Sequence, residues 1–120
     1  MEAAPGAAGP LVQGFAGTGF RVDGETYPAV LLTPGEARAW TPPPLADLTE
    51  ADLAPLLEDG PEFVILGTGA IMQRPPRALR DAFAARHIGL EAMDSRAAAR
   101  AWAVLRAEDR LIAAALYPLA

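Results

Sequence analysis

Gly67-Thr68-Gly69 is the stretch of this chain best suited to hold a ligand. It follows Phe63-Val64-Ile65-Leu66, four large apolar residues that read as a strand buried on both faces. Open α/β sheets place their sites at the carboxyl ends of such strands, where a glycine turn lets backbone N–H groups approach an anion. Gln73 and Arg74 follow the turn, and Arg74 suits an anion clamp. Asp94 and Ser95 follow the next expected strand. In a βαβ unit both strands end on the same side, so these two join Gly67, Thr68, Gly69, Gln73 and Arg74 as candidate ligand-binding residues. A plainer reading stands beside this one and is preferred. Met72 occupies the place of the third glycine of a dinucleotide fingerprint, and glycine is the default residue of strained turns. Asp94-Ser95 is equally a helix N-cap signal.

Catalytic chemistry has fewer candidates. The one His, His87, and the one Ser, Ser95, invite a nucleophile and base pairing. They flank a strand roughly 15 Å long at about 3.3 Å per residue, too far for a hydrogen bond. His87 fits a helix C-terminus better, where its charge suits the dipole. The chain has no Cys, Lys or Asn. Thiol nucleophiles, thiolate zinc sites, a phosphate-loop lysine and a Schiff base are thereby removed. Neither a catalytic residue, a metal site nor a cofactor is expected.

The elements that position these residues follow from punctuation and periodicity. Residues 1 to 16 are small, Gly- and Pro-rich and without period, and read as a flexible N-terminal tail. Residues 17 to 120 are expected to form a single domain, the right size for one core. Phe20-Arg21-Val22, the Asp23-Gly24 turn and a returning strand from Tyr27 to Leu32 make an N-terminal β-hairpin. Residues 36 to 45, with Trp40 and Pro42-Pro43-Pro44, read as an extended connector anchored by Trp40. Thr49 is an N-cap with Asp52 at N3, Leu48 and Leu53 take the staple positions, and Leu53, Leu56 and Leu57 form one stripe. Pro75 and Pro76 fit the first turn of a helix that faces Leu79 and Phe83 inward. A short strand from Leu90 to Met93 completes a βαβ unit. Beyond Asp94-Ser95 a helix places Ala98, Trp102 and Leu105 on one face, Leu111 to Leu116 is a buried last strand, and Pro118 is expected to end the fold.

Charge is unevenly placed. Residues 1 to 62 carry two Arg against ten acids, whereas residues 63 to 120 carry eight Arg against five acids. A net charge of -5 argues against nucleic-acid binding, while the Arg-rich half would complement a small anion or an acidic partner surface. Arg77, Arg80, Arg96 and Arg100 lie at helical spacings and read as solvated helix surface. No apolar run approaches the roughly 18 residues of a transmembrane helix, and no basic leader opens the chain. A cytoplasmic location is expected.

Four stretches in order carry a resemblance: Leu31-Leu32-Thr33-Pro34, Leu48-Thr49-Glu50, Leu66-Gly67-Thr68-Gly69, and Met93-Asp94-Ser95 leading on to Ala113-Ala114-Ala115-Leu116. Over about residues 18 to 117 the chain resembles the Mth938-domain (DUF498-like) family of small bacterial and archaeal proteins, related to the mitochondrial respiratory complex I assembly factor 3 group. The resemblance implies an α/β, three-layer Mth938-like fold with a mixed central sheet whose last strand runs antiparallel to its neighbours. It aligns Ala99, Trp102 and Ala103 with a Cys, an aromatic residue and an Asn found in other members. Any chemistry of that Cys or Asn is then lost here. The function it implies is a non-enzymatic accessory protein that binds a protein partner, in assembly of a respiratory membrane complex. The alternative is a small-molecule or anion-binding protein, or a weak enzyme, using the turn from Gly67 to Arg74. A homo-oligomer assembled through exposed apolar surface is the third reading.

Overall fold

The structure, a computed structural model, describes residues 9–120. Its centre is β6 (Phe63–Gly67), which pairs in parallel with β7 (Gly89–Met93) on one side and with β8 (Ala113–Leu116) on the other. Two further strands, β4 (Val30–Leu32) and β5 (Ala37–Ala39), extend the sheet antiparallel beyond β8, giving the order β5-β4-β8-β6-β7. A separate three-stranded antiparallel sheet holds β1 (Val12–Ala16), β2 (Gly19–Val22) and β3 (Glu25–Tyr27).

Both faces of the five-stranded sheet are covered, and the period-two geometry of a strand assigns residues to each. Val30, Leu32, Ile65, Ala114 and Leu116 face a core shared with Phe20, Val22 and Trp102. Leu31, Val64, Leu66, Ala113 and Ala115 face a second core shared with Leu48, Leu53, Leu56, Leu79 and Phe83. The first core lies under α3 (Ser95–Ala107) and the three-stranded sheet, the second under α1 (Ala54–Leu57) and α2 (Arg77–Ala85). This is the three-layer α/β arrangement with a mixed sheet that the resemblance implied, and it contains the βαβ unit expected from the sequence pattern.

Several boundaries differ from expectation, each for a physical reason. Within the expected tail, Val12–Ala16 is a strand. Its inward positions are Val12, Gly14 and Ala16 while Phe15 points out, so no apolar alternation was legible, and the pairing slips between Val12 and Gly14. Residues 1 to 8 of that tail lie outside the described residues. The returning strand from Tyr27 to Leu32 is two strands in two sheets, broken at Pro28, which has no N–H to donate to a ladder. The connector from 36 to 45 contains β5 as an edge strand. Thr49 and Asp52 do open a helical segment, with the Asp52 carboxylate accepting from both the N–H and the hydroxyl of Thr49 at 2.9 Å. It begins as a 3-10 turn over Glu50–Leu53 before α1. Pro76 is the N-cap of α2 and Pro75 precedes it. The last strand, β8, is antiparallel only to β4 and runs parallel to β6, because α3 is a crossover that returns the chain in the direction of β7. Pro118 does not end the fold, since the Leu119 N–H donates to Thr18 O at 2.7 Å and its side chain is buried.

Candidate functional site

The carboxyl ends of β6 and β7 do meet. Thr68 N–H donates to Met93 O and Ser95 N–H donates to Gly69 O, each at 2.8 Å. Gly67, Thr68, Gly69, Asp94 and Ser95 are thus one cluster. The bonds within it decide what it can do.

Asp94 is the N-cap of α3, its carboxylate accepting from Ala97 N–H at 2.9 Å. Ser95 does more than continue that cap. Its side chain is fully buried, its hydroxyl donates to Tyr117 O at 2.7 Å, and it accepts the Gly69 N–H at 2.9 Å. The chain beyond β8 also lies against the end of β6, through Tyr117 N–H to Gly67 O at 2.9 Å. The crevice at which an α/β sheet would take a ligand is therefore occupied by residues that follow its own last strand. Gly67 is required by this closeness, for a Cβ there would sit 2.8 Å from Ser95 Oγ and 2.9 Å from a methyl carbon of Leu116. Gly69 is required by conformation, with φ of 112°.

Thr68 organises the other half of the turn. Its hydroxyl lies 2.8 Å from Ile71 O and 3.2 Å from Met93 O as donor, and accepts the Gln73 N–H at 3.0 Å. The N–H groups of Thr68, Gly69 and Gln73 all have protein acceptors. What the turn presents outward is side chains. Ile71 and Met72 are 65% and 55% exposed, beside exposed Gln73 and Arg74. Arg74 makes no ion pair among the described residues.

His87 lies at the opposite end of β7 from Ser95, in a left-handed conformation with φ of 58°. There it closes α2 in a Schellman arrangement, with His87 N–H to Ala84 O at 3.0 Å and Ile88 N–H to Phe83 O at 3.1 Å. No group of three or more metal-ligating side chains occurs among the described residues.

Two polar residues were not singled out from sequence. Tyr117 donates its hydroxyl to Pro43 O at 2.8 Å and packs edge-on against Trp40 at 5.5 Å between ring centres. Burial, and then the nearby Asp52 charge, push its phenol up to about 12. Trp40 is half-buried, with its indole N–H 3.4 Å from Leu116 O, so the proline connector is pinned across the sheet end by an aromatic pair. A cleft of about 490 Å³ lies alongside, lined by Pro28, Ala39, Trp40, Pro42 and Pro118. Arg106 is 6% exposed; its guanidinium donates to Arg110 O at 2.6 Å, and its Nε has no acceptor among the described residues. Its position four residues after Trp102, on the inward face of α3, was the available signal.

Comparison with known proteins gives a consistent picture. Residues 12–117 match the family described as Protein of unknown function (DUF498/DUF598). The chain is 31% identical over 115 residues to NADH dehydrogenase [ubiquinone] 1 alpha subcomplex assembly factor 3 of Danio rerio, covering 92% of this chain and 66% of that protein's length. Among solved structures, a Bordetella parapertussis protein superposes with a TM-score of 0.82 at 30% identity, covering 92% of this chain and 97% of that one. A Bordetella pertussis protein with a Mth938-like domain does so at 0.78 and 24% identity, over 99% of this chain and 90% of that one. The chain therefore belongs to the DUF498/DUF598 family, with a Mth938-like fold.

Proposed function

We propose that this protein is an accessory protein that binds a protein partner, in the assembly of a respiratory membrane complex and from the cytoplasmic side. The observation that carries this reading is the 31% identity to an assembly factor of NADH dehydrogenase along 92% of the chain. The site geometry is in keeping with it. Ser95 and Thr68, the hydroxyls nearest the strand ends, are spent on holding the turn and the segment after β8 together. Gly67, Thr68, Gly69 and Ser95 then serve as a rigid base, and Gln73 and Arg74 are carried outward on it.

Affinity capture of the tagged protein from its own cells, with detergent-solubilised membranes included, tests the reading when the eluate is examined by native mass spectrometry. The expected result is a stoichiometric protein partner that is a subunit of a membrane respiratory complex. An eluate with no protein partner and with the added mass of a small molecule would overturn it and move attention to the turn from Gly67 to Arg74 as a ligand site.

A further inference from the structure

We infer that the loop from Ala70 to Arg74, with the first turn of α2, is a docking element for an anionic lipid bilayer. Ile71 and Met72 are adjacent, large, apolar and more than half exposed, at the tip of a loop whose neighbours Ala70, Gln73 and Arg74 are exposed as well. Interfacial apolar side chains of this kind enter the boundary between headgroups and acyl chains, which accepts a protrusion without a preformed pocket. A protein partner would have to supply the pocket.

The surrounding charge states which surface is complementary. From residue 70 to residue 81 the chain carries Arg74, Arg77 and Arg80 against one acidic residue, Asp81. All three are exposed, and none forms an ion pair among the described residues. Arg77 lies on the outer face of α2 beside Asp81, opposite the buried Leu79 and Phe83, and Arg80 lies on its flank. They follow Met72 by five and eight residues along the chain, and an anionic leaflet attracts basic side chains held near its surface. The ten acids of residues 1 to 62 give the chain its negative net charge, but this segment has none of them. The tip is also pre-ordered. Thr68 Oγ1 bonds Ile71 O on one side and the Gln73 N–H on the other, so docking immobilises little that was free.

Co-sedimentation of the whole protein with vesicles tests this, using phosphatidylcholine alone and phosphatidylcholine with about 30 mol % phosphatidylglycerol. Partition onto the anionic vesicles only, reversed at about 0.5 M salt, is expected. Arg74→Ala and Arg77→Ala should each weaken it about five-fold. Replacing Ile71 and Met72 together by Ser should weaken it at least about ten-fold. Thermal melting should be unchanged in each variant, because the altered side chains are exposed; Arg80→Glu provides a single charge-reversed variant should the double one fail to fold. No partition onto anionic vesicles, or partition that these variants leave intact, overturns the proposal. Variants that keep vesicle binding but lose a captured protein partner also overturn it, and would assign the tip to a protein contact instead.

Discussion

Ser95 is where three segments are joined by one hydroxyl. It donates to Tyr117 O and accepts from Gly69 N–H, so the turn after β6, the start of α3 and the chain after β8 all depend on it. Ser95→Ala would leave a buried N–H and a buried C=O unpaired, which costs about 1–3 kcal/mol for each such group before relaxation. A loss of about 2–3 kcal/mol in urea denaturation with an unchanged slope is expected. A change within about 0.5 kcal/mol would show that neither bond matters. Tyr117 makes a second, pH-dependent link. Its phenol titrates near 12 when folded and near 10 when unfolded, so between these values the unfolded chain releases a proton that the folded chain retains. Stability from this group is fully present below about pH 10 and is lost as pH rises toward about 12. Tyr117→Phe should remove that part of the alkaline decline, seen by comparing thermal melts of both proteins from pH 9 upward. Neither role was legible in sequence. A Ser after an Asp signals a cap, and the Asp94 cap is real, but the sequence does not say which distant carbonyl a buried hydroxyl will reach.

The two long helices end in the same way without the usual residue. In α2 the left-handed position after the C-cap is His87, and in α3 it is Asp109, each at φ of 58°. Asp109 N–H bonds Arg106 O at 2.9 Å and Arg110 N–H bonds Leu105 O at 3.2 Å, repeating the Schellman pattern of α2. Left-handed backbone costs a residue with a Cβ about 1–2 kcal/mol, partly offset in glycine by the greater freedom of the unfolded chain. His87→Gly and Asp109→Gly should therefore each stabilise the protein by about 0.5–1 kcal/mol, raising the denaturation midpoint, and the two should add. A loss of stability in either would mean that its side chain contributes more than its backbone strain costs. These ends show what sequence pattern can and cannot read at this scale. Thr49 with Asp52, Asp23-Gly24 and the run from Phe63 announced a cap, a hairpin turn and a buried strand, because each rests on local chemistry. The pairing of β5 and the sheet change at Pro28 depend on partners far along the chain, which local pattern does not carry.

At the scale of the molecule, the three-stranded sheet and the five-stranded sheet form no common ladder. A small sheet needs an apolar face to bury or a helix to pack against, and the three-stranded sheet has both in the core it shares with α3 and the central sheet. That packing is specific. Phe20 and Val22 are fully buried in the core that contains Trp102, Arg96 lies over the Phe15 ring at 5.1 Å, and Leu119 N–H reaches Thr18 O. The central tie is Trp102, whose indole N–H donates to Pro10 O at 2.8 Å while its ring is fully buried in the core that holds Phe20 and Val22. Trp102→Phe keeps an aromatic ring but removes the donor, leaving the Pro10 carbonyl unpaired and a gap where the larger ring stood, a combined cost of about 2–3 kcal/mol. If the hairpin layer is a separable unit, that cost should fall on it alone. Amide exchange should accelerate in Val12–Ala16 and Gly19–Val22 by more than about ten-fold while Phe63–Gly67 and Ala113–Leu116 keep their protection. Equal acceleration in both sheets would show instead that the molecule opens as one cooperative unit. The interface between the two sheets would then be as strong as either core, although no backbone ladder crosses it.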